Sequence, residues 1–236
     1  MSLLQRLSTL LGRSEPDPQA DPAIMRGIGD RVRRKLRADP RIEPRGGKKA
    51  DLFLLRGFLD EAECRRLIAI IDSRIQPSVL FSEKVAPKGR TSSTHFFSQE
   101  MPETKALAAK IGTITGIEPI HAEPLQGQRY RVGEEYRHHR DHFRLDRPHW
   151  QVERRRGGQR SWTAMVYLNA VGEGGETEFP ELDLRIAPEP GLLVMWDEEV
   201  GMIAAAGLIV PATAALFYMA AIKTRGGWRW RWGGED

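Results

Sequence analysis

Apolar residues recur at helical spacing in the first half of the chain and at strand-like spacing in the second half. Helical patterns occupy residues 67–71 and 107–111. Asp60 is expected to cap the first helix, because Glu63 follows three residues later as in a capping box. Residues 52–55 are continuously apolar and predict a short strand ahead of that helix.

From about residue 119 the pattern changes to short strands separated by glycine and proline. Residues 161–169 are a long run of β-type residues, and 192–196 form another such run after a proline-rich stretch. Gly174 and Gly175 predict a turn between these two runs. Helices followed by many short strands predict an α+β fold whose sheets form a sandwich or jelly roll.

The same patterns divide the chain into three parts. Residues 1–50 read as an amphipathic and basic appendage with a linker, residues 51–200 as the main domain, and residues 201–236 as an atypical C-terminal segment. Order is expected to begin at Asp51. The basic run at 31–37 is read as a solvated linker or, alternatively, as a contact for nucleic acid or an anionic membrane. Since no aromatic residue interleaves the run, we expect neither a nucleic-acid nor a membrane partner.

Composition narrows the class of protein further. The chain has 236 residues, 29% of them charged, and a net charge of +4, which is ordinary for a globular protein with its own core. Its single cysteine, Cys64, excludes an intramolecular disulfide and a cysteine-rich zinc module, and it is expected to be a buried thiol. No secretory signal is visible, so we expect a cytoplasmic location.

The chemistry-bearing residues concentrate between Tyr130 and Phe143. His139 and Asp141 are two residues apart in a segment that reads as extended, so their side chains are expected to project from the same side of a strand. One nitrogen and one oxygen donor suit two corners of an octahedral metal ion. This is the beginning of a 2-His-1-carboxylate site for non-haem Fe(II).

Several motifs in a fixed order extend this interpretation. Residues 51–200 resemble the prolyl 4-hydroxylase catalytic-subunit type of Fe(II)/2-oxoglutarate dioxygenase. The matching motifs lie at residues 57–64, 90–92, 130–143, 157–169 and 174–180. The resemblance implies a double-stranded β-helix, or jelly roll, with supporting N-terminal helices. It also implies hydroxylation of a peptidyl proline or a related C–H bond, with release of succinate and CO2.

The resemblance further assigns roles to individual residues. His139 and Asp141 would hold the metal, while Tyr136 and Arg160 would lie at the mouth of the site, where the family meets a peptide substrate. The distal carboxylate of 2-oxoglutarate would be bound by two hydroxyl donors and a cation, namely Tyr130, Thr177 and Lys223. The implied cofactors are Fe(II), 2-oxoglutarate and ascorbate, and the implied partners are dioxygen and a peptide or small-molecule substrate.

One part of the family pattern is missing. The family has a second histidine ligand after the Gly-Gly-Glu-Thr turn, but the six histidines of this chain all precede Gly174. If Lys223 is the cofactor lysine, Thr213 stands in the place of that histidine, and a neutral hydroxyl is a poor Fe(II) ligand. The alternative function is therefore an inactive family member that binds peptides.

The segment that should contain this histidine is unusual. Residues 201–222 carry no charge and are rich in alanine, and the tail after them alternates tryptophan and arginine. Three interpretations stay open: a shifted reading frame, genuine divergence that has lost the third ligand, and a transmembrane helix. A protein that acts on membranes or nucleic acid through its basic arm and this tail is a third functional hypothesis.

Overall fold

The computed structural model describes residues 21–78, 90–197, 203–205 and 213–221. Four helices lie in these ranges: α1 Pro22–Ala38, α2 Glu61–Ser73, α3 Pro102–Thr115 and α4 Trp150–Arg156. The strands are β1 Glu43–Pro44, β2 Leu52–Leu55, β3 Gln76–Pro77, β4 Ser93–Phe96, β5 Gln126–Tyr130, β6 Tyr136–His139, β7 Arg160–Tyr167, β8 Thr177–Phe179, β9 Leu184–Ile186, β10 Leu193–Asp197, β11 Ile203–Ala205 and β12 Thr213–Ala221.

The strands form two antiparallel sheets. The larger has the order β1-β2-β10-β7-β12-β5-β4-β3, and the smaller has the order β6-β11-β8-β9. At the centre of the larger sheet, neighbouring strands are not consecutive in the chain, since β7 pairs with both β10 and β12. This arrangement of helices and antiparallel sheets confirms the predicted α+β class.

Strands β2 and β10 are buried on both faces, which explains their largely apolar sequences. In β10, Leu193 and Met195 pack in the cluster shared with the helices, whereas Val194 and Trp196 belong to a second cluster with residues of the smaller sheet, including Phe179. Alternation along a strand thus gives β10 one face toward the helices and one toward the space between the sheets.

The two helices that the sequence predicts are present, with the expected ends. Asp60 caps α2: its side chain accepts a hydrogen bond from the Glu63 amide at 2.7 Å, and the Glu63 carboxylate accepts one from the Asp60 amide at 3.0 Å. Gly116 ends α3 in the left-handed region with φ of 78°. Cys64 is buried in α2, as expected.

The sequence predicts that order begins at Asp51, but the described fold begins earlier, with helix α1. Helix α1 is capped by Asp21, and its residues Val32 and Leu36 lie in the core cluster with α2 and α3. The basic run lies on this helix, and Arg33 pairs with the buried carboxylate of Asp51. Val32 and Leu36, four residues apart, fix the helix to the core. The charged residues around them make this apolar pattern hard to recognise in the sequence.

The uncharged C-terminal segment contains strands. The backbone of β12 lies between β7 and β5 in the larger sheet, and β11 lies between β6 and β8 in the smaller one. Within the described ranges, no helix is both long enough and apolar enough to cross a membrane. Lys223, the tryptophan-rich tail and the apolar residues before Gly12 lie outside the described residues.

Candidate active site

His139 and Asp141 lie side by side at the end of β6. His139 Nε2 is 3.4 Å from Asp141 Oδ1, and both side chains are largely buried. The strand ends at His139, and Asp141 lies on the bend that follows. Strand alternation therefore does not by itself explain why the side chains of His139 and Asp141 project from the same side. Their common direction depends on the contacts that position Asp141.

Two contacts orient the imidazole of His139. Its Nδ1 lies 2.7 Å from the backbone carbonyl of Arg137, so Nδ1–H donates there. Tyr136 stacks on the ring with centroids 3.6 Å apart and planes inclined by 16°. In the neutral tautomer the lone pair is then on Nε2, directed toward Asp141, which is the arrangement that a metal-binding histidine needs.

Three residues hold the aspartate. Thr163 Oγ1 donates to Asp141 Oδ2 at 3.0 Å, Trp196 Nε1 donates to the same oxygen at 3.3 Å, and Arg160 Nη1 donates to the Asp141 backbone carbonyl at 2.9 Å. Thr163 and Trp196 come from adjacent strands, β7 and β10, where they are paired in register. Oδ1 is left facing His139.

The environment keeps Asp141 ionised. Burial acts to raise the pKa of this carboxyl. The hydrogen bond and charge of His139 in its protonated form, the charge of Arg160 and the Thr163 hydroxyl together bring the pKa below its ordinary value. At neutral pH the pair therefore offers an anionic oxygen and, in the neutral tautomer of His139, an imidazole nitrogen.

This donor set fits two adjacent corners of an octahedral Fe(II) site. In the part of the chain that the structure describes, no three or more histidine, cysteine, aspartate or glutamate side chains are grouped so that they could hold a metal ion. Thr213, which the sequence places at the third position, lies in β12, where its backbone pairs with Tyr130. The described residues thus supply two protein ligands.

Arg160 is held firmly beside the pair. Its guanidinium makes two hydrogen bonds to Glu123, at 2.7 and 2.9 Å, and lies 4.4 Å from the centroid of the Phe143 ring. Both members of this ion pair are almost fully buried. Sequence reasoning missed Glu123, because it belongs to no motif that we recognised and precedes Arg160 by 37 residues.

The two predicted hydroxyl donors lie on β5 and β8. Tyr130 is buried and donates to Gln128 Oε1 at 2.8 Å, and burial raises the pKa of its phenol to about 12. The Thr177 hydroxyl lies 2.6 Å from Tyr167 OH, which donates to the carbonyl of Ile186. Burial also raises the pKa of Tyr167, which sequence reasoning did not assign to the site.

The structure therefore brings Tyr136, His139, Asp141 and Arg160 into one connected group. Tyr130 lies beside this group, because Tyr136 packs against it. Lys223 lies outside the described residues. The functional roles given to all of these residues stay predictions.

Comparison with known proteins places this geometry in context. Residues 125–202 match the family model of the 2OG-Fe(II) oxygenase superfamily. The chain is 32% identical over 177 residues to probable prolyl 4-hydroxylase 8 of Arabidopsis thaliana, covering 73% of this chain and 54% of that protein. It is 35% identical over 138 residues to Arabidopsis prolyl 4-hydroxylase 2, covering 56% and 44%. The chain spans about half the length of the curated relatives it matches.

Solved structures share the fold. A viral collagen prolyl hydroxylase from Paramecium Bursaria Chlorella virus-1, solved as a 2OG complex, superposes with a TM-score of 0.56 at 24% identity, covering 75% of this chain and 99% of that one. A Trichoplax adhaerens prolyl hydroxylase, solved with a hypoxia inducible factor peptide fragment, gives a TM-score of 0.58 at 12% identity, covering 86% and 94%. These similarities confirm the predicted jelly roll.

Proposed function

We propose that the chain is an Fe(II)- and 2-oxoglutarate-dependent dioxygenase of the 2OG-Fe(II) oxygenase superfamily, because residues 125–202 match that family model and the chain is similar to prolyl 4-hydroxylases. It would hydroxylate a peptidyl proline or a related C–H bond and release succinate and CO2. The observation that carries the proposal is the His139–Asp141 pair, which lies within the matched segment with its two donor atoms 3.4 Å apart.

The residues of the site have distinct parts in this proposal. His139 and Asp141 would hold Fe(II), which when bound supplies the activation of dioxygen. Thr163 and Trp196 fix the orientation of the Asp141 carboxylate by donating to one of its oxygens. Tyr130 and Thr177, with Lys223, would bind the distal carboxylate of 2-oxoglutarate. Burial raises the pKa of the Tyr130 and Tyr167 phenols, so both stay protonated at neutral pH and can donate.

Tyr136 and Arg160 would contact the substrate. Tyr136 covers one face of His139, and Arg160 is held by Glu123 and Asp141, so neither side chain needs to be ordered when a substrate arrives. The substrate would be a peptide or a small molecule, and ascorbate would restore iron that has been oxidised without product formation. A cytoplasmic location is part of the same proposal.

Production of succinate tests the function directly. The purified chain, supplied with Fe(II), 2-oxoglutarate, ascorbate, oxygen and proline-containing peptides, is expected to release succinate in proportion to hydroxylated product. His139→Ala and Asp141→Ala should reduce succinate to background. His138→Ala is the matched control, since that neighbouring side chain is 45% exposed and contacts Glu178 instead.

The inactive alternative predicts a different result. A peptide-binding family member would bind peptide in the wild-type protein and in His139→Ala with similar affinity, and neither protein would release succinate above background. Peptide binding measured by calorimetry beside the succinate assay therefore separates the two functions.

A further inference from the structure

Arg90 is a buried cation to which the described residues offer no carboxylate partner. The residue is 8% exposed. Its Nε donates to Ser92 Oγ at 2.9 Å, and its Nη2 donates to Thr94 Oγ1 at 2.8 Å. Over the described ranges, no aspartate or glutamate lies within ion-pair distance of its guanidinium, and Nη1 has no hydrogen-bond acceptor there.

Other poorly exposed arginines of the described chain are compensated. Arg160 pairs with Glu123, and Arg129 pairs with Asp72. Removal of a guanidinium from water without a counter-charge is unfavourable, and neutral hydroxyls offset only part of that cost. A buried arginine that lacks a carboxylate of its own chain is thus suited to bind the carboxylate of a ligand, because its planar fork matches that group.

The position of Arg90 directs it to the site. Its Cζ lies 4.8 Å from the centroid of the Tyr136 ring. The other partner of that ring is His139, which stacks at 3.6 Å. Because His139 occupies one face of the ring at contact distance, Arg90 covers the opposite face. A single aromatic ring therefore separates the free cation from the metal-binding pair.

Two hydroxyl groups contact the cation, and a third contacts both of them. Ser78 Oγ lies 3.0 Å from Ser92 Oγ and 2.6 Å from Thr94 Oγ1, so the three hydroxyls form one connected cluster. Ser92 also interacts with the phenol of Tyr130. Arg90 is thereby linked to Tyr130, the residue proposed to donate to the distal carboxylate of 2-oxoglutarate.

We propose that Arg90, together with Ser92 and Thr94, forms a carboxylate-binding subsite beside His139 and Asp141. Its ligand is the distal carboxylate of 2-oxoglutarate or a carboxylate of the substrate, and in naming these ligands the inference rests on the proposed function. In the first case Arg90 supplies the cation that sequence reasoning assigns to Lys223.

Anaerobic calorimetry with two 2-oxo acids tests the subsite. Both 2-oxoglutarate and 2-oxobutanoate carry the chelating end, but 2-oxobutanoate lacks the distal carboxylate. Mn(II) is used in place of Fe(II). Arg90→Gln is expected to lower the affinity for 2-oxoglutarate about tenfold or more and to leave the affinity for 2-oxobutanoate unchanged. Arg65→Gln is the control, since that arginine is 69% exposed on α2.

A second titration distinguishes the source of the carboxylate. If Arg90→Gln leaves 2-oxoglutarate affinity unchanged, glutarate is titrated into protein already saturated with 2-oxoglutarate, with glutaramide as the uncharged comparison. Glutarate binding that is lost in Arg90→Gln assigns the subsite to the substrate. If no probe binds the wild-type protein more tightly than Arg90→Gln, the proposal is overturned.

Two further readouts keep the outcomes separate. If 2-oxoglutarate fails to bind but glutarate binds in an Arg90-dependent manner, the carboxylate subsite stands and the proposed function fails. Should Arg90→Gln not fold, Arg90→Lys carries the test, because it keeps the charge and loses the planar fork. Arg90→Lys is expected to lower the affinity for the carboxylate probe and to leave the affinity for Mn(II) unchanged.

Discussion

The orientation of Asp141 depends on side chains from strands that lie far from it in sequence. Thr163 and Trp196 both donate to Oδ2, which leaves Oδ1 directed at His139. Such contacts to a metal-binding carboxylate restrict its rotation and lower its pKa, so they influence metal affinity although they do not touch the metal.

Thr163→Val tests this dependence. Valine has nearly the same shape but cannot donate, so the pKa of Asp141 should rise and its carboxylate should rotate more freely. We expect Mn(II) affinity, measured by calorimetry, to fall about tenfold. Thr113→Val is the control, because the Thr113 hydroxyl donates to the Ala109 carbonyl on an exposed helix surface. Equal affinities in both variants would show that Thr163 has no part in positioning the ligand.

His95 gives the fold a dependence on acidity. Burial lowers the pKa of this histidine below 6.5, and a hydrogen bond with the Arg74 backbone opposes the change. The unfolded chain therefore takes up the proton first as the pH falls. The stabilisation by neutral His95 is fully present above about pH 6.5 and is lost as the pH falls from there through the lower pKa of the folded state.

Urea unfolding at pH 7.5 and 5.5 checks the sign of this effect. The wild-type protein should lose more unfolding free energy between these values than His95→Gln does, with a limit of about 1.4 kcal/mol per pH unit for one proton. Burial also lowers the pKa of His142, but this residue is present in both proteins, so its contribution cancels in the comparison. Identical pH slopes would exclude His95 as a source of the dependence.

At this scale the sequence identifies residues within motifs but not their partners. His139, Asp141, Tyr136 and Arg160 stand in a recognisable order and lie in contact in the structure, while their roles stay predictions. Glu123 and the unpaired state of Arg90 escaped prediction, because both depend on which distant strands become neighbours. No local pattern contains that information.

Close contact between α2 and β5 is an element-scale feature that one glycine permits. A Cβ atom added at Gly127 would lie 2.3 Å from Ile71 Cγ1 and 3.0 Å from Phe97 Cε2. Gly127→Ala should therefore lower the unfolding free energy by about 1–3 kcal/mol. Gly29→Ala in α1 is the control, since its Cβ would meet nothing within 4 Å. It should raise stability by up to about 1 kcal/mol, and a neutral Gly127→Ala would contradict the packing described.

Helix α1 provides the second element-scale prediction. Leu36 is fully buried against the core, whereas Ile24 on the same helix is 40% exposed. Leu36→Ala should cost about 2–5 kcal/mol in a denaturant titration, and Ile24→Ala should stay within about 0.5 kcal/mol. If both changes were equally small, residues 22–38 would be an appendage, as the sequence alone suggests.

Elements with strong local signals could be predicted, and those that depend on tertiary contacts could not. The capping box of α2 is a local signal, and it was expected. The apolar side of α1 is narrow and lies among charges, so its packing was not recognised. The bend after β6 was read as strand, because His139 and Asp141 keep the period of two.

For the whole molecule, composition and the order of elements gave the α+β class, and the motifs gave the jelly roll. Strand order within the sheets did not follow from the sequence, since β7 lies between two strands that come later in the chain. The C-terminal segment carries no family motif, yet β12 completes the larger sheet between β5 and β7.

The most direct test is an anaerobic titration of the purified chain with Fe(II) and 2-oxoglutarate, followed in the visible metal-to-ligand charge-transfer band. The proposed site predicts a saturable band that requires both additions and disappears in His139→Ala, while His138→Ala retains it. Absence of the band from the wild-type protein, or its persistence in His139→Ala, would contradict a dioxygenase site built on His139 and Asp141.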